Sequence, residues 1–185
     1  LVAVLPAMLV GLPLDDWMTE HLHNPPVVAA MLILYGVLFI VVESSPRRVK
    51  MATVESLSWA TAFGIGLFQV LSLVPGTSRS GATILGGILL GCSRTLAAEF
   101  TFFLAIPVMA GASLIKLLKF GFSFSAAELA VLGVGMLTAF VVSMLSIRFL
   151  MNYVKRHDFK VFGWYRIVLG AIVLVYFFLL KPMLG

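Results

Sequence analysis

Four long intervals of this sequence contain no charged residue: those between Glu20 and Glu43, Glu55 and Arg79, Glu99 and Lys116, and Glu128 and Arg148. Intervals of that length match what a helix needs to cross about 30 Å of hydrocarbon, and short polar segments separate them. With 61% hydrophobic and 11% charged residues, the chain lies far from the 45–50% apolar and roughly 25% charged composition of soluble domains. An ordinary soluble enzyme is excluded, and the pattern is that of a polytopic membrane protein. No linker or low-complexity tract divides residues 1–185, so a single membrane domain is expected. The first residue is Leu1, inside an apolar run with no basic segment before it, which does not fit a signal peptide. A further N-terminal part is therefore expected. One cysteine, Cys92, excludes a disulfide framework and a Cys-based zinc site. The net charge of +5 sits mostly in loops, a distribution that orients membrane proteins and does not build a nucleic-acid surface.

The apolar segments are Leu1–Leu12, Val27–Val42, Leu57–Pro75, Gly81–Cys92, Phe100–Ile115, Leu129–Ile147 and Val161–Leu180. Each must be helical, because hydrocarbon offers no partner to backbone N–H and C=O groups and no alternating barrel pattern is present. The fold class is thus all-α. Gly81–Cys92 is too short to cross, covering only about 18 Å. Just before it, Pro75-Gly76-Thr77-Ser78-Arg79-Ser80-Gly81 should break a helix. If residues 57–92 made one broken crossing, the loop cations would divide six against six. If they form a re-entrant hairpin, Arg47, Arg48, Lys50, Arg94, Arg148, Lys155, Arg156, Lys160 and Arg166 share one side, against Lys116, Lys119 and Lys181. The second arrangement obeys the positive-inside rule. It predicts a hairpin over 57–92 with its open end cytoplasmic and its tip at Pro75–Gly81 toward the outer leaflet. Asp15, Asp16, Glu20 and the C-terminus then lie on the outer side.

Irregular backbone at membrane depth is tolerated where it lines a cavity, and an intramembrane arginine commonly marks a substrate path or a counter-ion. Arg79, the hydroxyls of Ser78 and Ser80 and the first N–H groups of a half-helix beginning near Gly81 together suit an anion, above all a phosphate. Arginine's fork matches a phosphate bidentately. Gly76 and Gly81 are expected to take positive φ, and Thr83, one turn further on, to add a donor. The structural alternative is that Arg79 snorkels or pairs with a carboxylate while the serines only cap the helix. Gln69 either bonds the ligand or bridges helices. Glu99 reads as a helix-start residue behind the Ser93 N-cap, or as a partner of Arg94. His21 and His23 read as solvated loop residues, not metal ligands. Gly87 and Gly91 permit close helix packing, and Pro107 predicts a kink. Nucleotide-loop, zinc-helix and nucleophile-elbow motifs are absent.

The run Pro75-Gly76-Thr77-Ser78-Arg79-Ser80-Gly81-Ala82-Thr83 resembles the second signature of the bacterial undecaprenyl-diphosphate phosphatases of the BacA/UppP family. Leu5-Pro6-Ala7 with Gly11, Asn24-Pro25, Gly66 to Gln69, Glu99-Phe100 and Ala105-Ile106-Pro107 follow in that family's order. The resemblance implies hydrolysis of undecaprenyl diphosphate to the monophosphate and phosphate, recycling the cell-wall lipid carrier and conferring bacitracin resistance. It implies an inverted-repeat architecture in the bacterial cytoplasmic membrane, with the active site facing outward. Arg79 is then the catalytic residue, and Thr77, Ser78, Ser80, Gly81, Thr83 and Gln69 are substrate contacts. The family's first signature, a Glu-x-x-x-Glu segment followed by Ser-Ser-x-Gly-His, should precede residue 1, and Ser44-Ser45 is no substitute for it. The nucleophile or base, and the ligands of a divalent cation (Mg2+ or Ca2+), are expected there, so this chain alone should be inactive. Undecaprenyl diphosphate and the bilayer are the partners implied, and a homodimer is left open. Two alternatives remain at this level. One is a lipid-phosphate or anion transporter. The other is a phosphatidic-acid-type phosphatase, disfavoured because no histidine lies between Arg79 and His157.

Overall fold

A computed structural model describes residues 1–121 and 124–181, apart from the side chains of Leu12, Asp15, Asp16, Thr19 and Phe120. After a 3-10 turn at Val2–Val4, α1 runs over Leu5–Leu22 and α2 over Pro25–Ser44. Asn24 sets the boundary between them. Its Oδ1 accepts the Val27 N–H at 3.0 Å, and Pro25, which has no N–H to lose, opens α2. Two short helices follow, α3 at Trp59–Val70 and α4 at Arg79–Leu89, and then three long ones: α5 (Arg94–Phe120), α6 (Ala126–Val154) and α7 (Lys160–Val175), the last extended by a π-turn to Leu180. Helices α2, α5, α6 and α7 with its extension are long and apolar enough to cross a membrane. No strand forms among the described residues. The chain is an all-α, multi-pass membrane protein.

The sequence expectations hold for the spans and need correction at the edges. The stretch from Pro13 to Leu22, read as part of an outer loop, continues α1. His21 accordingly stacks on Trp17 with ring centroids 4.9 Å apart. The C-terminal residues 182–185 and the side chains of Asp15 and Asp16, assigned above to the outer side, lie outside the described residues.

With 12 and 11 residues, α3 and α4 reach only about 18 Å and 17 Å, and they pack against each other as two arms. Glycines let the arms close. A Cβ at Gly86 would sit 2.5 Å from the Phe68 ring, and one at Gly64 would sit 2.9 Å from Leu90. The arms also close at their open end. Lys50 and Met51 donate to the Gly91 carbonyl at 2.8 and 3.1 Å, and Ser93 N–H donates to Met51 O at 2.8 Å. Gly91, with φ +99°, ends α4 in a Schellman turn, in which Cys92 N–H reaches Gly87 O and Gly91 N–H reaches Ile88 O. So of the Gly87/Gly91 pair only Gly87 packs helix on helix, against Ala97 of α5. Residues Gly81 to Ile88 are all buried, making α4 the centre of the molecule. In contrast, α6 is buried only at Val154 among its residues.

Helices α2 and α7 cross at glycines. A Cβ on Gly36 would lie 2.7 Å from the Gly163 carbonyl oxygen, and one on Gly170 would lie 2.9 Å from Ala29 O. Close backbone approach of this kind is how apolar helices adhere without a hydrophobic drive between them. Gly36→Ala should therefore force the helices apart at a cost of about 1–3 kcal/mol, read as a lower thermal midpoint in detergent.

Candidate functional site

Everything at the candidate site hangs on the turn between α3 and α4. The end of α3 tightens into a 3-10 turn at Leu71–Leu73, Val74 extends, and Gly76 reverses the chain with φ +90°. A side chain could not fit there, because a Cβ on Gly76 would fall 2.4 Å from the Val28 carbonyl oxygen of α2. Ser78 then adopts φ 67°, a left-handed conformation that costs a non-glycine residue of order 1 kcal/mol or more. In return its Oγ accepts the Gly81 N–H at 3.2 Å, and α4 begins at Arg79. The half-helix therefore starts two residues earlier than Gly81. Gly81 itself is helical, against the expectation of positive φ, and is needed for close approach: a Cβ there would lie 3.0 Å from Arg166 Nη1.

Starting α4 at Arg79 puts this arginine and Ser80 in the first helical turn, where N–H groups have no intrahelical acceptor. Neither the Arg79 nor the Ser80 N–H finds one among the described residues. The Ser80 hydroxyl is exposed and lies 3.2 Å from Ser78 Oγ. Arg79 is part-buried and its guanidinium makes no ion pair or hydrogen bond among the described residues, so pairing with a carboxylate does not account for it.

A second guanidinium meets the same turn. Arg166 of α7, counted above among the loop cations of the open end, instead reaches the hairpin tip and donates from Nη2 to the Thr77 carbonyl at 3.0 Å. Its charge faces the Phe39 ring, 5.9 Å from the centroid. Its Nη1 is buried and has no partner among the described residues. Placement follows from the α2–α7 crossing: Gly163 and Gly170 press on α2, and Arg166, three residues after the first, shares their face. Moving Arg166 off the open end leaves eight cations there against three, so the charge asymmetry behind the hairpin survives.

The other sequence-derived candidates fall in different places. Thr77 is fully buried; its carbonyl anchors Arg166, and its hydroxyl has no partner among the described residues. Gln69, 2% exposed, likewise carries an unpartnered Oε1, so the acceptor that a helix bridge would satisfy is unmet. Thr83 departs from its expected role as a ligand donor. Its Oγ1 bonds the Arg79 and Ser80 carbonyls at 3.0 and 3.2 Å and Thr101 Oγ1 at 2.9 Å, fastening α4 to α5. Arg94 pairs with Glu43 (Nε to Oε2, 2.7 Å) and not with Glu99. Arg166 and Thr101 escaped sequence reading.

Ser78 allows a check on local strain. Ser78→Gly loses the cap but releases the positive φ, and should leave stability within about 1 kcal/mol of wild type. Ser78→Ala loses the cap and keeps the strain, and should cost about 1–2 kcal/mol. Thermal unfolding in detergent compares the two.

The chain is thus, as a class, a multi-pass helical membrane protein whose broken-helix turn carries Arg79, two free N–H groups and two serine hydroxyls and is met from α7 by Arg166. The chain belongs to the bacitracin resistance protein BacA family, whose model matches residues 1–172. It is similar to the undecaprenyl-diphosphatase of Enterococcus faecalis, at 60% identity over 176 residues, covering 94% of this chain and 64% of that protein. The protein of the same name from Lactiplantibacillus plantarum is 59% identical over 185 residues (97% and 67%), and that from Desulfitobacterium hafniense 56% over 180 residues (96% and 65%). The chain thus spans about two thirds of the length of the relatives it matches.

Proposed function

We propose that this chain supplies the diphosphate-binding part of an undecaprenyl-diphosphate phosphatase, in which water cleaves the phosphoanhydride bond to give undecaprenyl phosphate and inorganic phosphate. The observation that carries this reading is the start of α4, where Arg79 and two free N–H groups follow the Thr77 carbonyl that holds Arg166, and neither arginine is paired with a carboxylate among the described residues. Such a turn is built for an anion of more than one charge. The relatives' names narrow the anion to a lipid diphosphate. Transport of lipid phosphate, open at the level of sequence, draws no support from those names.

In this mechanism the substrate's diphosphate sits over the first turn of α4. Arg79 spreads its fork across the oxygens of the transferred phosphoryl group and stabilises the charge that builds there in the transition state. Arg166, held by the Thr77 carbonyl and Phe39, adds its positive charge to the turn from the α7 side. The N–H groups of Arg79 and Ser80 and the serine hydroxyls fix the remaining oxygens. Gln69 and Thr77 contribute buried polar atoms close to the hairpin; Gly81 clears the approach. Among the described residues no three His, Cys, Asp or Glu side chains gather closely enough to hold a metal ion, and no step here runs through one. The family resemblance assigns water activation to its acidic and Ser-Ser-x-Gly-His signature, a pattern not found in residues 1–185. The hairpin is read as re-entrant in the bacterial cytoplasmic membrane, with its tip toward the outer side, where a spent carrier lipid is met.

The test is phosphate release from an isoprenyl diphosphate in detergent by a protein of the relatives' full length carrying these residues. Turnover that depends on Arg79 supports the reading; binding of the lipid without any phosphate release overturns it.

A further inference from the structure

The opposite end of the hairpin holds a charged cavity that the phosphatase reading does not use. It has a volume of about 330 Å³ and lies between the last turn of α2, the 47–49 segment, the α4–α5 turn and the end of α6. At about 30 Å³ per water, that is room for a small headgroup. Its walls are fixed, because the backbone bonds from Lys50, Met51 and Ser93 described above tie the segment after α2 to the α4–α5 turn. Four cations line it, Arg47, Arg48, Arg94 and Lys155, against one carboxylate, Glu43. The floor is apolar and buried, formed by Val42, Ile88 and Val154.

Glu43 specifies what the occupant must carry. Its side chain is 1% exposed. One carboxylate oxygen takes the Arg94 guanidinium, and the other, Oε1, is buried without a partner among the described residues. A buried carboxylate oxygen left without a donor is costly. Because Arg94 is already committed to Glu43, the free positive charge is that of Arg47, Arg48 and Lys155. Neither Arg47 nor Arg48 makes an ion pair or hydrogen bond among the described residues. The cavity therefore asks for a group that is anionic on one side and donates a hydrogen bond on the other.

We propose that this cavity binds a phosphate group bearing a hydroxyl donor, the phosphate on Arg47, Arg48 and Lys155 and the hydroxyl on Glu43 Oε1. Two sources share that chemistry: the phosphoglycerol headgroup of an anionic phospholipid and free hydrogen phosphate. Basic pockets between helices at the charge-rich face of a membrane protein suit the former, and the apolar floor would receive its first carbons. The site is separate from the hairpin tip, at the far end of α4, and does not depend on the phosphatase reading.

The experiment is native mass spectrometry of the chain in a neutral detergent, with phosphatidylglycerol and phosphatidylcholine of matched acyl chains offered in equal amounts. The phosphatidylglycerol adduct should dominate in wild type and in Arg79→Ala, and should weaken about fivefold for each arginine removed in Arg47→Gln and in the Arg47→Gln/Arg48→Gln variant. Both arginines are exposed, so these variants are expected to fold, which the thermal midpoint checks. Displacement of the lipid by submillimolar inorganic phosphate would assign the site to free phosphate. Equal occupancy by the two lipids with no effect of phosphate, or a preference that survives in the double variant, would overturn the proposal. Loss of the preference in Arg79→Ala would place the lipid at the hairpin tip and overturn it as well.

Discussion

Replacing Arg79 with alanine is expected to lower phosphate release about 10²–10³-fold, the usual cost of removing one preorganised donor from developing negative charge. The protein should nevertheless keep its helicity and thermal midpoint. The Arg79 guanidinium makes no ion pair or hydrogen bond among the described residues, and the residue's position at the start of α4 is set by the Ser78 cap and Gly76, not by its own side chain. Nothing in the fold therefore depends on the guanidinium. Arg79→Lys should recover little of the loss, because an ammonium keeps the charge but cannot span two phosphate oxygens in a plane. Initial rates on an isoprenyl diphosphate, set beside thermal melts of the same preparations, decide the matter. An unchanged rate in folded Arg79→Ala would remove Arg79 from the chemistry.

The crossing helices were legible because a membrane span is a one-dimensional property: α2, α5, α6 and α7 need only a long interval without charge. The pair of short helices α3 and α4 was legible from the shortness of Gly81–Cys92 and the break at Pro75–Gly81. Helix ends were not. The segment defined by hydropathy stops at Leu12, whereas the backbone of α1 stops at Leu22, where Asn24 and Pro25 begin the next helix. Hydropathy reports where lipid ends, and capping reports where helix ends. Thr83 shows a related limit. Its distance from the tip in sequence suggests a ligand contact, but one turn into α4 its hydroxyl meets carbonyls and Thr101. The Glu43–Arg94 pair joins residues 51 apart, a contact that no local pattern encodes. Arg166 was misassigned because it lies six residues past Lys160 and looked like one more loop cation. A signal was available in Gly163 and Gly170, which bracket it on one face of α7 and mark that face as a close helix contact.

Arg166→Met should act differently from any change at Arg79, because Arg166 has both a structural and an electrostatic role. Its Nη2 holds the Thr77 carbonyl, and its Nη1 stands 3.0 Å from where a Cβ on Gly81 would be. Removing it leaves a buried acceptor without its donor, at about 1–3 kcal/mol, and takes one of two charges from the anion. The expected outcome is a lower thermal midpoint together with a loss of about 10²-fold or more in kcat/KM. Arg166→Lys should restore part of the stability, since an ammonium can still reach the Thr77 carbonyl, and less of the activity, since one donor cannot serve carbonyl and phosphate together. The sharpest measurement is the Arg79→Ala/Arg166→Met double variant. If both guanidiniums stabilise one phosphoryl group, the second substitution should cost much less once the first is in place, as for residues that act as a unit. Losses that multiply independently would mean that the two arginines serve different ligands, and the turn at α4 would then hold only one of them.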